Sequence, residues 1–180
     1  MAAESFSQLP PLTLVLGGQR SGKSAHAEDL IDDRRAAVYL ATGQALDAEM
    51  TKRIERHQKR RGPNWTTVEE PINIANALIE SDSKDRPILI DSLAMWVANL
   101  LDQGYDVKNE AFTLAEALEG LTSPLVVVSD EAGLGVIPEN VLARSFLDEL
   151  GAVNQAIAAR ADKVVFVAAG LPVVLKDKEK

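Results

Sequence analysis

Gly17-Gly18-Gln19-Arg20-Ser21-Gly22-Lys23-Ser24 is the stretch that decides the fold of this chain. An apolar run, Leu12-Thr13-Leu14-Val15-Leu16, precedes it, and Ala25-His26-Ala27-Glu28-Asp29-Leu30 follows with the composition of a helix. A glycine, four residues and then Gly-Lys-Ser, between a strand and a helix, is the full phosphate-binding loop pattern. Each residue type has a physical task. Glycines let backbone N–H groups turn inward on a phosphate, and the helix N-terminus adds the positive end of its dipole. Lys23 supplies a point charge for the β- and γ-phosphates, and the Ser24 hydroxyl a ligand for Mg²⁺. The plain alternative is an ordinary glycine-rich turn, and the flanks favour nucleotide binding over it. By itself the stretch names a nucleotide and no reaction.

Outward from the loop, apolar strand-like runs alternate with helix-like stretches. That alternation predicts an α/β fold, a mostly parallel sheet with helices on both faces. Strands are expected at 12–16, 37–41, 65–69, 87–91 and 125–129. Residues 163–169 and 173–176 read as a hairpin around Gly170-Leu171-Pro172, which adds an antiparallel edge strand. Helices are expected from 23 to about 33, from about 47 to 60, and over 72–80, 93–101, 112–118 and about 139–160. The second of these stops at Gly62-Pro63, and 102–108 reads as a polar surface loop. Residues 1–11 form a frayed leader that lacks the basic start and apolar core of a signal peptide. Residues 12–176 form one nucleotide-binding catalytic domain, and 177–180 a solvated tail.

A chain of 180 residues, 46% hydrophobic and 26% charged, has the composition of a globular domain with a substantial core. No apolar run approaches the roughly 20 residues that span a bilayer. Cysteine is absent, which removes disulfides, thiolate metal sites and a cysteine nucleophile; the cytoplasm is the expected compartment. A net charge of −8 argues against general nucleic-acid binding. Six of the nineteen basic residues nevertheless fall between 52 and 61: Lys52, Arg53, Arg56, Lys59, Arg60 and Arg61. Only Glu55 opposes them there, and such a local concentration fits a nucleoside triphosphate better than a duplex.

In parallel sheets ligands bind at the carboxyl ends of the strands. That rule gathers 17–24, Thr42, Gly43, Gln44, Glu69, Asp91 and Ser129-Asp130-Glu131 on one rim. Asp91 closes an Ile-Leu-Ile-Asp run, the pattern of the acid that completes a Mg²⁺ site beside a phosphate loop. Asp91 or Ser92 as a helix N-cap is the other reading of the run, and the phosphate loop in the same chain favours the metal. His57 lies inside the basic segment, where Arg53, Arg60 and Arg61 share its face of a helix. Those cations disfavour the imidazolium, keeping the ring neutral from a reference value near ~6.5. A neutral imidazole is a competent nucleophile, although on periodicity alone His57 is a solvated histidine on a charged helix. His26 reads as structural. Glu69 and Glu70 are placed to meet a guanine base or a hydroxyl, or to face solvent. Asp130 and Glu131, near Gly133 and Gly135, meet a substrate or form a plain turn. Trp65 and Trp96 read as core residues.

Several segments together resemble one family. The first block is the phosphate loop with Tyr39-Leu40-Ala41-Thr42-Gly43-Gln44, Asp47-Ala48-Glu49-Met50 and Arg53-Ile54-Glu55-Arg56-His57. The second is Arg60-Arg61, Trp65-Thr66-Thr67-Val68-Glu69-Glu70-Pro71 and Ile90-Asp91-Ser92-Leu93 with Trp96 and Asn99. The third runs from Gly133-Leu134-Gly135-Val136-Ile137-Pro138-Glu139-Asn140 to Ala169-Gly170-Leu171-Pro172. Together they resemble the bifunctional adenosylcobinamide kinase/adenosylcobinamide-phosphate guanylyltransferases of cobalamin biosynthesis. The resemblance implies a RecA-like P-loop NTPase fold, Mg²⁺, and GTP and ATP as substrates. It implies phosphorylation of adenosylcobinamide and then transfer of GMP from GTP, giving adenosylcobinamide-GDP and pyrophosphate. It makes His57 the residue that carries the guanylyl group and Lys23 its catalytic partner, reversing the reading from periodicity. Nucleotide contacts carry over to Gly17, Gly18, Gln19, Arg20, Ser21, Gly22, Lys23, Ser24, Thr42, Gly43, Gln44, Gln58, Lys59, Arg60, Arg61, Glu69 and Asp91. Ser24 and Asp91 become the metal ligands, and a homotrimer is implied, with no nucleic-acid partner and no membrane span. One departure is that Ser-Asp-Glu stands at 129–131 where Ser-Asn-Glu is expected. A small-metabolite kinase without guanylylation, and a nucleotide-dependent binding module without turnover, are the alternatives.

Overall fold

The computed structural model describes residues 9–31, 36–44 and 61–178. The elements in chain order are β1 (Leu12–Gly17), α1 (Lys23–Asp29), β2 (Ala37–Ala41), β3 (Trp65–Glu69), α2 (Ile74–Ser81) and β4 (Ile88–Asp91). They continue with α3 (Leu93–Asp102), α4 (Val107–Gly120), β5 (Leu125–Asp130), α5 (Val141–Arg160), β6 (Lys163–Ala168) and β7 (Leu171–Asp177). The strands form one sheet in the order β3-β2-β4-β5-β1-β6-β7. All neighbours are parallel except β6 and β7.

Alternation along the strands sorts the core into two layers. Leu14, Leu16, Leu40, Ile88, Ile90 and Val127 meet Leu78, Trp96, Leu100, Leu114 and Val153 from α2–α5 on one face. Val15, Tyr39, Leu89, Val126, Val128 and Val165 meet Ala27 and Ile31, in and just after α1, on the other. Strands buried from both sides are apolar throughout, as Ile-Leu-Ile in β4 and Leu-Val-Val-Val in β5 show.

The expected loop over 102–108 is shorter than its polarity implied. Asp106 caps α4 by accepting from the backbone N–H groups of Lys108 and Asn109, so the helix starts at Val107 and runs well past the expected 112–118. The C-terminal hairpin also turns earlier than expected. Ala169 and Gly170 hold φ of 52° and 79°, a two-residue turn whose twist suits a hairpin, and Leu171-Pro172 already belong to β7. Helices α2 and α5 begin two residues later than the sequence suggests. The first helix stops earlier than expected, at Asp29 with Leu30 as its C-cap. The expected helix over 47–60, the leader through residue 8 and the last two residues of the tail lie outside the described residues.

Candidate functional site

The phosphate loop is built by close packing against two neighbouring strands. A Cβ on Gly17 would stand 2.5 Å from both the Val167 carbonyl oxygen and Ser21 Oγ, so no side chain fits there. Gly22, at φ 97°, turns the chain into α1, and its carbonyl accepts from His26 N–H at 2.9 Å. Arg20 also adopts a left-handed φ of 58°. Ser21 N–H bonds Gly18 O at 3.2 Å, and Gly170 N–H of the β6–β7 turn bonds Ser21 O at 2.8 Å, so the hairpin buttresses the loop. Lys23 opens α1 at 4% exposure. Its Nζ lies 2.5 Å from Asp130 Oδ1 and donates to Gly18 O at 3.3 Å.

Sheet register aligns the acids. Glu69 and Asp91 both pair with Ala41, one on each side of β2. Asp130 pairs with Gly17 two residues further along the rim. In-register neighbours of a parallel sheet point the same way. All three carboxylates therefore share the face that α1 covers, the face of Val15 and Val128.

Tyr39, on that same face, donates a 2.8 Å hydrogen bond from Oη to Asp91 Oδ2. Its ring meets Trp65 edge-on at 6.3 Å between centroids, and the Arg61 guanidinium carbon lies 3.4 Å from its centre. Burial first, and the Asp91 carboxylate second, push the Tyr39 phenol well above its ordinary range, so it stays a proton donor. The cap reading of Asp91 is set aside, because Ser92 Oγ takes the N-cap bond from Met95 N–H.

A second set of bonds fastens the loops leaving β2, β3 and β4. Thr42 Oγ1 donates to Ser92 O at 2.7 Å and accepts from Ser92 N–H at 2.9 Å. Asn99 Nδ2 donates to Thr42 O and Pro71 O, and Trp96 Nε1 to Ile72 O. Ser92, Trp96 and Asn99 follow at i, i+4 and i+7, one buried polar stripe of α3.

The expected rim residues 17–24, 42–44, Asp91 and 129–131 do gather at the carboxyl ends of the strands. Glu69 joins them at an exposed edge. Glu70 is committed locally, accepting from Ile72 and Asn73 N–H at the start of α2. Trp96 is a core residue at 1% exposure, whereas Trp65 is half-buried. His26 is half-buried, and burial holds its imidazole below the ordinary range. His57, Gln58, Lys59 and Arg60 lie outside the described residues. Tyr39, Asn99 and Gly170 belong to the segments that carry the family resemblance, but the sequence assigns them no task in the site. Period-two alternation from Ala41 back to Tyr39 was the available signal for the first, while the other two depend on strand order.

Comparison with known proteins adds the decisive observation. The family model described as cobinamide kinase / cobinamide phosphate guanyltransferase matches residues 13–175. The chain belongs to that family. The bifunctional adenosylcobalamin biosynthesis protein CobP of Pseudomonas aeruginosa is 45% identical over 166 residues, covering 91% of this chain and 96% of that protein. The corresponding CobU protein of Escherichia coli is 37% identical over 180 residues, covering 92% and 99%. Among solved structures, the P4 protein of bacteriophage phi6 in complex with ADP aligns at a TM-score of 0.51 and 12% identity. It covers 96% of this chain and 60% of that one, a likeness of fold. For this member of the cobinamide kinase / cobinamide phosphate guanyltransferase family, the P-loop NTPase architecture expected from the sequence is thus the one observed. No helix among the described residues is long and apolar enough to cross a membrane.

Proposed function

We propose that this protein phosphorylates adenosylcobinamide with a nucleoside triphosphate and then transfers GMP from GTP to adenosylcobinamide phosphate. The match to the family over residues 13–175, with the phosphate loop intact inside it, carries this reading. In the kinase step the substrate hydroxyl oxygen attacks the γ-phosphorus, its proton is lost, and the nucleoside diphosphate leaves. In the second reaction a neutral His57 nitrogen attacks the α-phosphorus of GTP and the bond to the β-phosphate oxygen breaks, releasing pyrophosphate. A phosphate oxygen of adenosylcobinamide phosphate then attacks the same phosphorus, and the P–N bond breaks to regenerate the imidazole. Covalent catalysis divides one difficult displacement into two.

Lys23, in the first turn of α1, is assigned to the β/γ-phosphates, with the loop N–H groups of 17–24 around them. Thr42, Gly43, Gln44, Gln58, Lys59, Arg60, Arg61 and Glu69 are assigned to the rest of the nucleotide. The Ser24 hydroxyl and the Asp91 carboxylate are hard oxygen donors of the kind that hold Mg²⁺ together with substrate phosphates. Tyr39, by occupying Asp91 Oδ2, supports that role through a fixed carboxylate orientation. When bound, Mg²⁺ neutralises charge on the phosphate oxygens.

One catalytic unit over 12–176, a cytoplasmic location and a homotrimer complete the reading. Exposed apolar side chains on β7 (Leu171, Val173, Leu175) and after β5 (Leu134, Val136, Ile137) support burial between copies; light scattering tests it. The test of function is product analysis. Purified protein with adenosylcobinamide, Mg²⁺, ATP and GTP should yield adenosylcobinamide phosphate, then adenosylcobinamide-GDP with one pyrophosphate each. Phosphate ester without the GDP adduct would reduce the protein to a kinase, and neither product would leave a binding module.

A further inference from the structure

The ion pair between Lys23 and Asp130 has a consequence for which nucleotide species the loop accepts. Lys23 Nζ is 2.5 Å from Asp130 Oδ1, and Lys23 is 4% exposed, so the charge meant for phosphate is already matched. Asp130 is fixed from three sides. Its residue pairs with Gly17 in the sheet, the next N–H, that of Glu131, bonds Gly17 O at 3.1 Å, and Asn154 Nδ2 bonds the Asp130 carbonyl at 3.0 Å. The strand cannot retreat when phosphate arrives; only the side chain can rotate.

We propose that Asp130 is a specificity-determining residue that makes the phosphate loop select nucleotide carrying a divalent cation and reject the bare anion. The proposal rests on the assignment of Lys23 to nucleotide phosphates. A triphosphate that takes Lys23 from Asp130 leaves a carboxylate beside its own oxygens, two anions sharing one ammonium. Opposed like charges at such range repel, and Asp130, with its side chain 28% exposed, is only partly screened by water. A divalent cation on the phosphates supplies the missing positive charge. The discrimination is built from repulsion of the wrong ligand rather than added contact with the right one.

The test is calorimetric binding of a GTP analogue with a methylene bridge between the α- and β-phosphorus, which cannot lose pyrophosphate. Wild type and Asp130→Asn are each titrated with Mg²⁺ and with a chelator instead. Asparagine keeps the size and the acceptor for Lys23 but removes the charge. The expected result is metal-free affinity tightened by roughly tenfold or more in Asp130→Asn, and Mg²⁺-bound affinity changed by less than about threefold. Equal changes in both forms, or no tightening of the metal-free form, would overturn the proposal. Asp130→Ser, with thermal unfolding of each variant, separates the charge effect from misfolding: serine must show the same selective gain. Binding of neither form to any variant would overturn the nucleotide assignment, and the proposal with it.

Discussion

Tyr39 Oη donates a 2.8 Å hydrogen bond to Asp91 Oδ2 across two adjacent strands, joining an aromatic cluster to the acid of the nucleotide rim. Tyr39→Phe keeps the ring against Trp65 and Arg61 and removes only this bond. The Mg²⁺ concentration for half-maximal activity should rise roughly ten- to a hundredfold, as for the loss of one hydrogen bond to a charged group that orients a metal ligand. Activity at saturating Mg²⁺ should fall less. A Mg²⁺ titration of both proteins reads the two quantities.

Gly17 and Gly18 are neighbours with opposite tolerances. Gly17→Ala places a Cβ 2.5 Å from a backbone oxygen, whereas nothing lies within 4 Å of a Cβ on Gly18. Thermal unfolding should show Gly17→Ala severely destabilised or unfolded, by several kcal/mol if it folds at all. Gly18→Ala should stay within about 1 kcal/mol of wild type.

Asn99 ties two loops to α3 through one amide. Asn99→Leu leaves the carbonyls of Thr42 and Pro71 without that donor in a buried setting. Denaturant unfolding should register a loss of about 2–3 kcal/mol. Asn99→Gln, whose longer amide reaches the same region, should recover part of it.

Asp82 gives stability a defined pH dependence. Burial raises its carboxyl, but bonds from Ser123 and Thr122 outweigh burial and hold it below the ordinary range. A depressed folded value means that its contribution is present above the unfolded value, near ~3.9, and is lost as pH falls through the folded one. Asp82→Asn should therefore lower the Tm at pH 7 slightly, because solvent screens the exposed carboxylate, with the difference from wild type closing below about pH 4.

Local pattern revealed the elements and the phosphate loop, because each depends on neighbours in sequence: Leu12–Leu16 leads into Gly17, and Ile-Leu-Ile ends at Asp91. The boundary of α4 was misplaced because polar composition hid a cap; Asp106 looked like loop and begins a helix. Strand order was not legible. Nothing local says that β5 inserts between β4 and β1, and that insertion is what sets Asp130 against Lys23 and Asp91 further away. Other non-local pairings, of β2 with β4 and of β1 with β6, bring Tyr39 to Asp91 and Gly170 to Ser21.

In the function proposed for this protein, the nucleotide held by Lys23 gives its guanylyl group to His57. The most direct measurement is incubation of the protein with α-labelled GTP and Mg²⁺, denaturation, and mapping of bound label by mass spectrometry. One guanylyl group per chain is expected on His57, labile to acid and stable to base, and absent from both His57→Ala and Lys23→Ala. No covalent label on wild type, or label that persists in His57→Ala, would contradict it.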